Sequence, residues 1–333
     1  MDSPTSLYVV EQGAHVHRVA GRLLVRDSRG VVLQDVPLFR LERVLLLGSV
    51  EVTSSAFVHL AREGIDLVYL TKEGRFLARG CPLGAQATET RLAQYRLAQD
   101  DMRKLELARK VVAAKIGNSR AVLRRRSNGT GEEDAKTRAR LKLLADEALT
   151  AASVESLMGI EGTAAREYFG GLRRNLKQDL GFEGRNRRPP KDPVNALLSF
   201  GYTLLFGQVL SAIQAAALDP YLGNLHEVKQ GRPSLALDLM EEVRCLVDTL
   251  VMRAINRIEL TARDFVDAGE AGTRMTDAGL ARYVKLYHER MAETSLHGPS
   301  GRTVDYREFG RLQALSYRAW VRGEGEYVPM EWR

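Results

Sequence analysis

The chain has 333 residues, 44% hydrophobic and 27% charged, with a formal net charge of +7. This length suits two domains of ordinary size, the apolar content excludes global disorder, and the basic balance favours a polyanionic partner such as nucleic acid or an anionic membrane surface. Cys81 and Cys245 lie far apart with no CxxC or Cys/His cluster, which argues against a zinc finger and a disulfide framework.

The N-terminal segment Met1 to Ser6 is polar and lacks the basic-then-apolar order of a signal peptide, so a reducing cytoplasm is the expected setting. Up to about Gly80 the pattern is that of strands. Leu7 to Val10, Ala14 to Val19, Leu23 to Arg26 and Val31 to Leu33 are short, β-branched and punctuated by glycine. Val44 to Leu47 and Ile65 to Leu70 are continuously apolar, as in strands buried on both faces. Between them, Thr53 or Ser54 can cap a short helix whose Ala56, Phe57, Leu60 and Ala61 share a face. Lys72-Glu73-Gly74 then turns into a last strand, Arg75 to Arg79. His15 and His17 alternate on one strand face without carboxylate neighbours in sequence. Residues 1–80 therefore read as a β-rich domain, a small sandwich with one helix, and 81–85 as a linker around Pro82 and Gly84.

From residue 86 to 333 the period becomes helical, giving an α+β chain whose second, larger domain is all-α. Helices are expected over Gln86 to Ile116, Ala135 to Leu149, Val154 to about Leu176, Pro193 to Ala217, Leu235 to Asn256, and near Asp277 to Glu293. The polar run Ser127 to Asp134 reads as a loop. Val194 to Leu218 comes nearest to a membrane span, but Asn195, Gln208 and Gln214 interrupt it, and no membrane is expected.

Three segments of the helical half carry unusual chemistry. In the first, Gly159 and Gly162 flank Glu161 inside a helix, at a propensity cost of roughly 1 kcal/mol each. They would let a second backbone or a DNA strand approach that carboxylate, and Glu161, Ala165 and Tyr168 share its face. Taken alone, Glu161 reads more readily as a solvated glutamate on a surface helix packed through glycines. The second segment, Leu218 to His226, ends the long apolar helix in a Pro/Gly turn and presents His226, a residue type more often a cap than a ligand in such a place. In the third, Ser234 can cap a helix on which Asp238, Glu241, Glu242 and Cys245 fall at adjacent positions among Leu235, Leu239, Met240 and Val243. The helix dipole alone would favour acids there, yet a carboxylate sheltered by apolar neighbours needs a cation, donors or a proton. Two carboxylates and one imidazole suit Mn²⁺ and accept Mg²⁺. Between the first two segments runs a cationic stretch, Arg173, Arg174, Lys177, Arg185, Arg187, Arg188 and Lys191, against Asp179 and Glu183. Its position between ligand helices favours phosphate contact over a merely solvated loop.

Taken together and in order, Gly159-Ile-Glu-Gly162 with Arg166 and Tyr168-Phe169, Arg187-Arg188-Pro-Pro-Lys-Asp-Pro-Val-Asn195, Asp219-Pro-Tyr-Leu-Gly223 with His226, and Ser234 to Arg244 resemble the CRISPR-associated spacer-acquisition endonuclease and integrase family ("Cas one") over nearly the whole chain. The resemblance implies metal ligands at Glu161, His226 and Glu241, with Asp238, Asn195 and Tyr168 supporting them. It leaves the choice of Glu241 over Asp238 open. It implies DNA contacts at Arg166, Arg187 and Arg188, with Mg²⁺ or Mn²⁺ as cofactor. It further implies a homodimer joined through the β domains, and a heterohexamer with the small second universal Cas acquisition protein. The substrates would be double-stranded spacer precursor and CRISPR repeat, joined by cleavage and transesterification. Two rival readings are a non-catalytic nucleic-acid scaffold and a recombinase using one of the eleven tyrosines as nucleophile.

Overall fold

The computed structural model describes residues 5–72, 74, 76–80, 88–126, 131–186 and 189–332. The linker expected at 81–85, the first half of the polar run after Arg126, and Arg187 and Arg188 lie outside the described residues. The chain divides into two compact units, Met1–Gln86 and Ala87–Arg333.

In the first unit, two four-stranded sheets share one core. One runs in the order β1 (Thr5–Val9), β5 (Leu41–Leu47), β7 (Asp66–Leu70), β8 (Phe76–Gly80), the first three parallel and β8 antiparallel to β7. The other runs β4 (Val32–Pro37), β3 (Arg22–Arg26), β2 (Ala14–Val19), β6 (Val50–Val52). The period-2 pattern sends Ala14, Val16, Leu23 and Val25 inward, while β5 is buried on both faces from Val44 to Leu47. Helix α1 (Ser54–Arg62) starts where the Thr53 side chain accepts the Ala56 N–H, and it buries Ala56 and Leu60. Phe57 instead lies 38% exposed, so the apolar face is narrower than its sequence spacing indicates. β6 is too short to leave a periodic signal, and it changes the setting of His15. The parallel register places Glu51 opposite that residue, and its carboxylate lies 3.1 Å from the His15 ring.

The second unit is mainly helical. The first expected helix is two: α2 (Thr88–Leu97) and α3 (Asp101–Arg126), because Asp100 accepts the Arg103 N–H and starts a new helix. α4 (Glu132–Ala148) and α5 (Val154–Arg174) pack on α3. Close approach comes at Gly171, where a Cβ would stand 2.7 Å from the Leu123 side chain; around Gly159 and Gly162 there is open space and no second backbone. α6 (Pro193–Ala215) begins with Asp192 accepting the Asn195 N–H and Pro193 in the first turn. Its length and composition would allow a membrane crossing, but 78% of its most apolar window is buried inside the unit, which accounts for the hydropathy.

The expected helix from Leu235 is also two, α7 (Ser234–Glu241) and α8 (Cys245–Asn256). Asn118 of α3 donates to the Glu242 carbonyl at 2.8 Å, and a tight turn follows in which the Leu246 N–H bonds the Val243 carbonyl. Ser234 is not the cap; buried in the first turn, it donates to the Glu227 carbonyl at 2.9 Å. Two hairpins that the helical reading lacked follow, β9 (Phe265–Asp267) with β10 (Thr273–Met275), and β11 (Thr294–His297) with β12 (Arg302–Asp305), flanking α9 (Asp277–Ala292). Strands of three or four residues carry too few side chains for a period to register. The amphipathic α10 (Tyr306–Val321), also unread in the sequence, packs on α6.

Gly201 of α6 faces α9, and a Cβ there would lie 2.6 Å from Val247 Cγ1 and would also overlap the Tyr283 hydroxyl. Gly201→Val should cost roughly 2 kcal/mol, since overpacking outweighs the modest gain in helix propensity. A lowered urea midpoint at unchanged slope is the check.

Candidate metal centre

The site grows from α7. Ser234 to Glu241 brings Asp238 and Glu241 to one stripe, and the surrounding apolar residues bury them to 1% and 5% exposure. Asp238 spends its acceptor capacity on the preceding loop. Its two oxygens take the backbone N–H groups of Asn224 (2.5 Å), Leu225 (3.0 Å) and His226 (3.0 Å), and the His226 Nδ1 at 2.7 Å. With Nδ1 donating to Asp238, the other imidazole nitrogen is left as a bare acceptor. The loop can lie this close because residue 223 is glycine: a Cβ would meet Ser234 Cβ at 2.6 Å and the His226 carbonyl at 2.9 Å.

Glu241 is held differently. Arg244 donates to both its oxygens at 2.7 and 3.0 Å, and the Lys115 Nζ of α3 stands 2.6 Å from Oε2. The same ammonium bonds Glu161 Oε1 on α5. Burial by itself would raise the Glu241 carboxyl, but Arg244 and Lys115, helped by His226, overcome it and hold the pKa down to about 2. Glu161 and Glu241, remote in sequence, thus meet on one cation, with His226 close enough to act on Glu241. Among the described residues no three His, Cys, Asp or Glu side chains stand together at metal-binding spacing, and the cation between the two glutamates is Lys115. The donor chemistry nonetheless fits a hard divalent ion: two carboxylates, one of them buried, and an imidazole nitrogen aimed by a carboxylate behind it.

Tyr168 and Asn195 do not reach this cluster directly. Tyr168 is buried and donates to Asp248 of α8 at 2.8 Å, and Tyr202 of α6 donates to the other Asp248 oxygen. Burial pushes the Asp248 carboxyl up while these two hydroxyls and Arg244 oppose the rise. Arg244 lies over the Tyr202 ring, 4.2 Å from its centroid, so this network backs the guanidinium that grips Glu241. Asn195 instead binds the chain before α6: its amide donates to the Gly184 carbonyl and Asp192, and its oxygen accepts from Arg185 at 2.8 Å. Arg166 is exposed on α5. Of the cationic run, Arg173 pairs with Glu183, Arg174 with Asp134, and Arg185 turns inward to Asn195 and Ser199, so these three are engaged within the protein. The sequence reading missed Lys115, Arg244, Asp248 and Tyr202 as working residues. A lone cation inside an Ala/Lys/Arg-rich helix gives no signal, and Asp248 in an apolar helix was the one legible clue.

The family model described as CRISPR associated protein Cas1 matches residues 7–289. The chain belongs to the Cas1 family. A Cas1 endonuclease of Thermus thermophilus is 39% identical over 92% of this chain and 91% of its own length. A Cas4 exonuclease/Cas1 endonuclease fusion of Geobacter sulfurreducens is 37% identical over 97% of this chain, which spans only 59% of the fusion. Among solved structures, a Cas1 protein from Thermotoga maritima superposes with a TM-score of 0.82 at 26% identity, covering 98% of this chain and 100% of that one. A chain of a Cas6-RT-Cas1–Cas2 complex gives 0.82 at 25% identity, covering 100% of this chain and 36% of its own. The Cas1 match includes all three segments singled out in the sequence and the helix that carries Lys115.

Tyr202→Phe removes one donor from the buried Asp248. It should cost about 1–3 kcal/mol of stability in the helical unit, read as a drop in its unfolding free energy.

Proposed function

We propose that this chain is a divalent-metal-dependent DNA endonuclease and integrase that inserts foreign spacers into a CRISPR repeat array. The observation that carries this reading is the convergence of Glu161 and Glu241 on a single cationic centre beside His226. Glu161, Glu241 and His226 would hold Mg²⁺ or Mn²⁺. Glu241 is preferred to Asp238 because the Asp238 oxygens are already committed to the 224–226 loop and the imidazole. A divalent ion there supplies Lewis acidity at the scissile phosphate and makes a water or a DNA 3′-hydroxyl a better nucleophile. The chain's own residues do the positioning: Asp238 fixes the ring and tautomer of His226, and Arg244 keeps Glu241 ionised and aimed. No covalent protein nucleophile is needed, and two of the tyrosines, Tyr168 and Tyr202, are engaged with Asp248.

Exposed Arg166, with Arg187 and Arg188, would contact the phosphates of double-stranded DNA. The β-rich unit would form the homodimer, and Cas2, present in the complex whose chain this one resembles, would complete a heterohexamer. A scaffold reading draws support from the neutralisation of Glu241 by Lys115 and Arg244, which is complete without any added ion.

Glu161→Gln, His226→Ala and Glu241→Gln should each lower Mn²⁺-dependent cleavage and strand joining at least about 100-fold, while leaving most DNA affinity, which phosphate contacts supply. Undiminished cleavage in Glu161→Gln sinks the mechanism, and a native protein that binds DNA but never cuts with Mn²⁺ favours the scaffold. Asp238→Asn should cost roughly 10–100-fold in the same assay through loss of His226 orientation. Replacing Arg187 and Arg188 with Gln should flatten the salt dependence of DNA binding, and an unchanged slope removes them from the interface.

A further inference from the structure

We infer that Lys115 is a built-in counter-cation, which an incoming divalent ion must displace, so that the metal affinity of the site is set by competition with the protein's own ammonium group. The inference rests on the metal-binding reading of Glu161 and Glu241 given above.

The Lys115 Nζ bonds both carboxylates at once, from a third helix, α3. Its side chain is 17% exposed, against 20% for Glu161 and 5% for Glu241, so the ammonium closes a largely sheltered pair of anions. A second cation, Arg244, also holds Glu241, but its guanidinium lies over the Tyr202 ring and bonds the carboxylate through both oxygens. A planar, stacked guanidinium is fixed in place, whereas a lysine ends in a point charge on a flexible four-carbon stem. Lys115 is therefore the cation that can leave.

Two positive groups cannot share these oxygens. An ammonium and a divalent ion a few ångströms apart in a sheltered site repel strongly, and each carboxylate oxygen facing Nζ is one the ion would need. Without Lys115 the metal-free pair would be left, among the described residues, with Arg244 alone on Glu241 and with no such partner on Glu161. Like charges brought together without a counter-ion are costly. The lysine thus stabilises the metal-free fold and weakens the metal complex by the same contact.

The test uses the full chain and Mn²⁺ alone, with binding followed by titration calorimetry and by loss of the free Mn²⁺ resonance signal. Lys115→Met keeps the length of the side chain without its charge. It should bind Mn²⁺ at least about tenfold more tightly than the native chain, the scale expected from removing one competing charge. Its metal-free Tm should fall, and its Tm gain on adding Mn²⁺ should exceed the native gain. A side chain that merely packs would lower Tm without tightening Mn²⁺ binding. Lys115→Arg keeps the charge and should bind Mn²⁺ no more tightly than the native chain, and tighter binding there overturns the inference even if Lys115→Met fails to fold. Native binding with equal or weaker binding in Lys115→Met overturns the inference and leaves the metal reading standing. Absence of Mn²⁺ binding in both folded proteins overturns the metal reading itself, and the inference with it.

Discussion

A carboxylate at 5% exposure, Glu241, must be neutralised, and the helical unit is organised around how that is done. An unpaired buried charge costs several kcal/mol, a large share of the net stability of any domain. Here one cation comes from α3 and the other from the turn after α7. Each then ties the carboxylate to further elements. Lys115 reaches α5 through Glu161, while Arg244 lies on Tyr202 of α6, whose hydroxyl bonds Asp248 of α8, which takes Tyr168 of α5 in return. The circuit closes on itself. Helices that share little local sequence logic are therefore held in one arrangement, and the group they hold is the one proposed to bind the metal.

His226 obeys a separate constraint that meets the first at α7. Its ring is placed by Asp238, one turn before Glu241, and its backbone by the same carboxylate together with the glycine at 223. Asn224 adds a contact to the Tyr317 hydroxyl of α10, so the loop is fixed from two sides. A carboxylate that accepts three backbone N–H groups and an imidazole has little capacity left for a metal. This separates the two acids of the stripe: Asp238 orients, and Glu241 faces the cation.

Much of this was readable in the sequence wherever pattern and chemistry coincided. The period-2 strands Ala14 to Val19 and Leu23 to Arg26, the continuously apolar β5, and the Asp192-Pro193 start of α6 are local signals that tertiary packing reinforces. Glu161, His226 and Glu241 came together through the family resemblance, since the local settings of Glu161 and His226 read more readily as a surface and a capping group. What stayed hidden depended on partners distant along the chain. The break between α7 and α8 is marked by a bond from Asn118, and the pairing of His15 with Glu51 by a three-residue strand. Lys115 was illegible for the same reason: its significance comes entirely from the helices it faces. No second backbone among the described residues packs against the glycines beside Glu161; the tight helix contact falls further along, at Gly171.

Glu242, next to Glu241, has no cation partner among the described residues; burial pushes its carboxyl up to about 7, and its acceptors are met by the Tyr327 hydroxyl, the Met330 N–H and Gln313. Tyr327 is separated from it by 85 positions. On the ribosome, then, the residue that caps the end of α7 emerges before the donors of its carboxylate have been synthesised. Asn118, which bonds both the Glu242 and Met330 carbonyls, waits longer still, since Met330 follows it by 212 positions. Vectorial synthesis cannot finish this centre piecemeal, and its final geometry has to form after translation has delivered the closing segment.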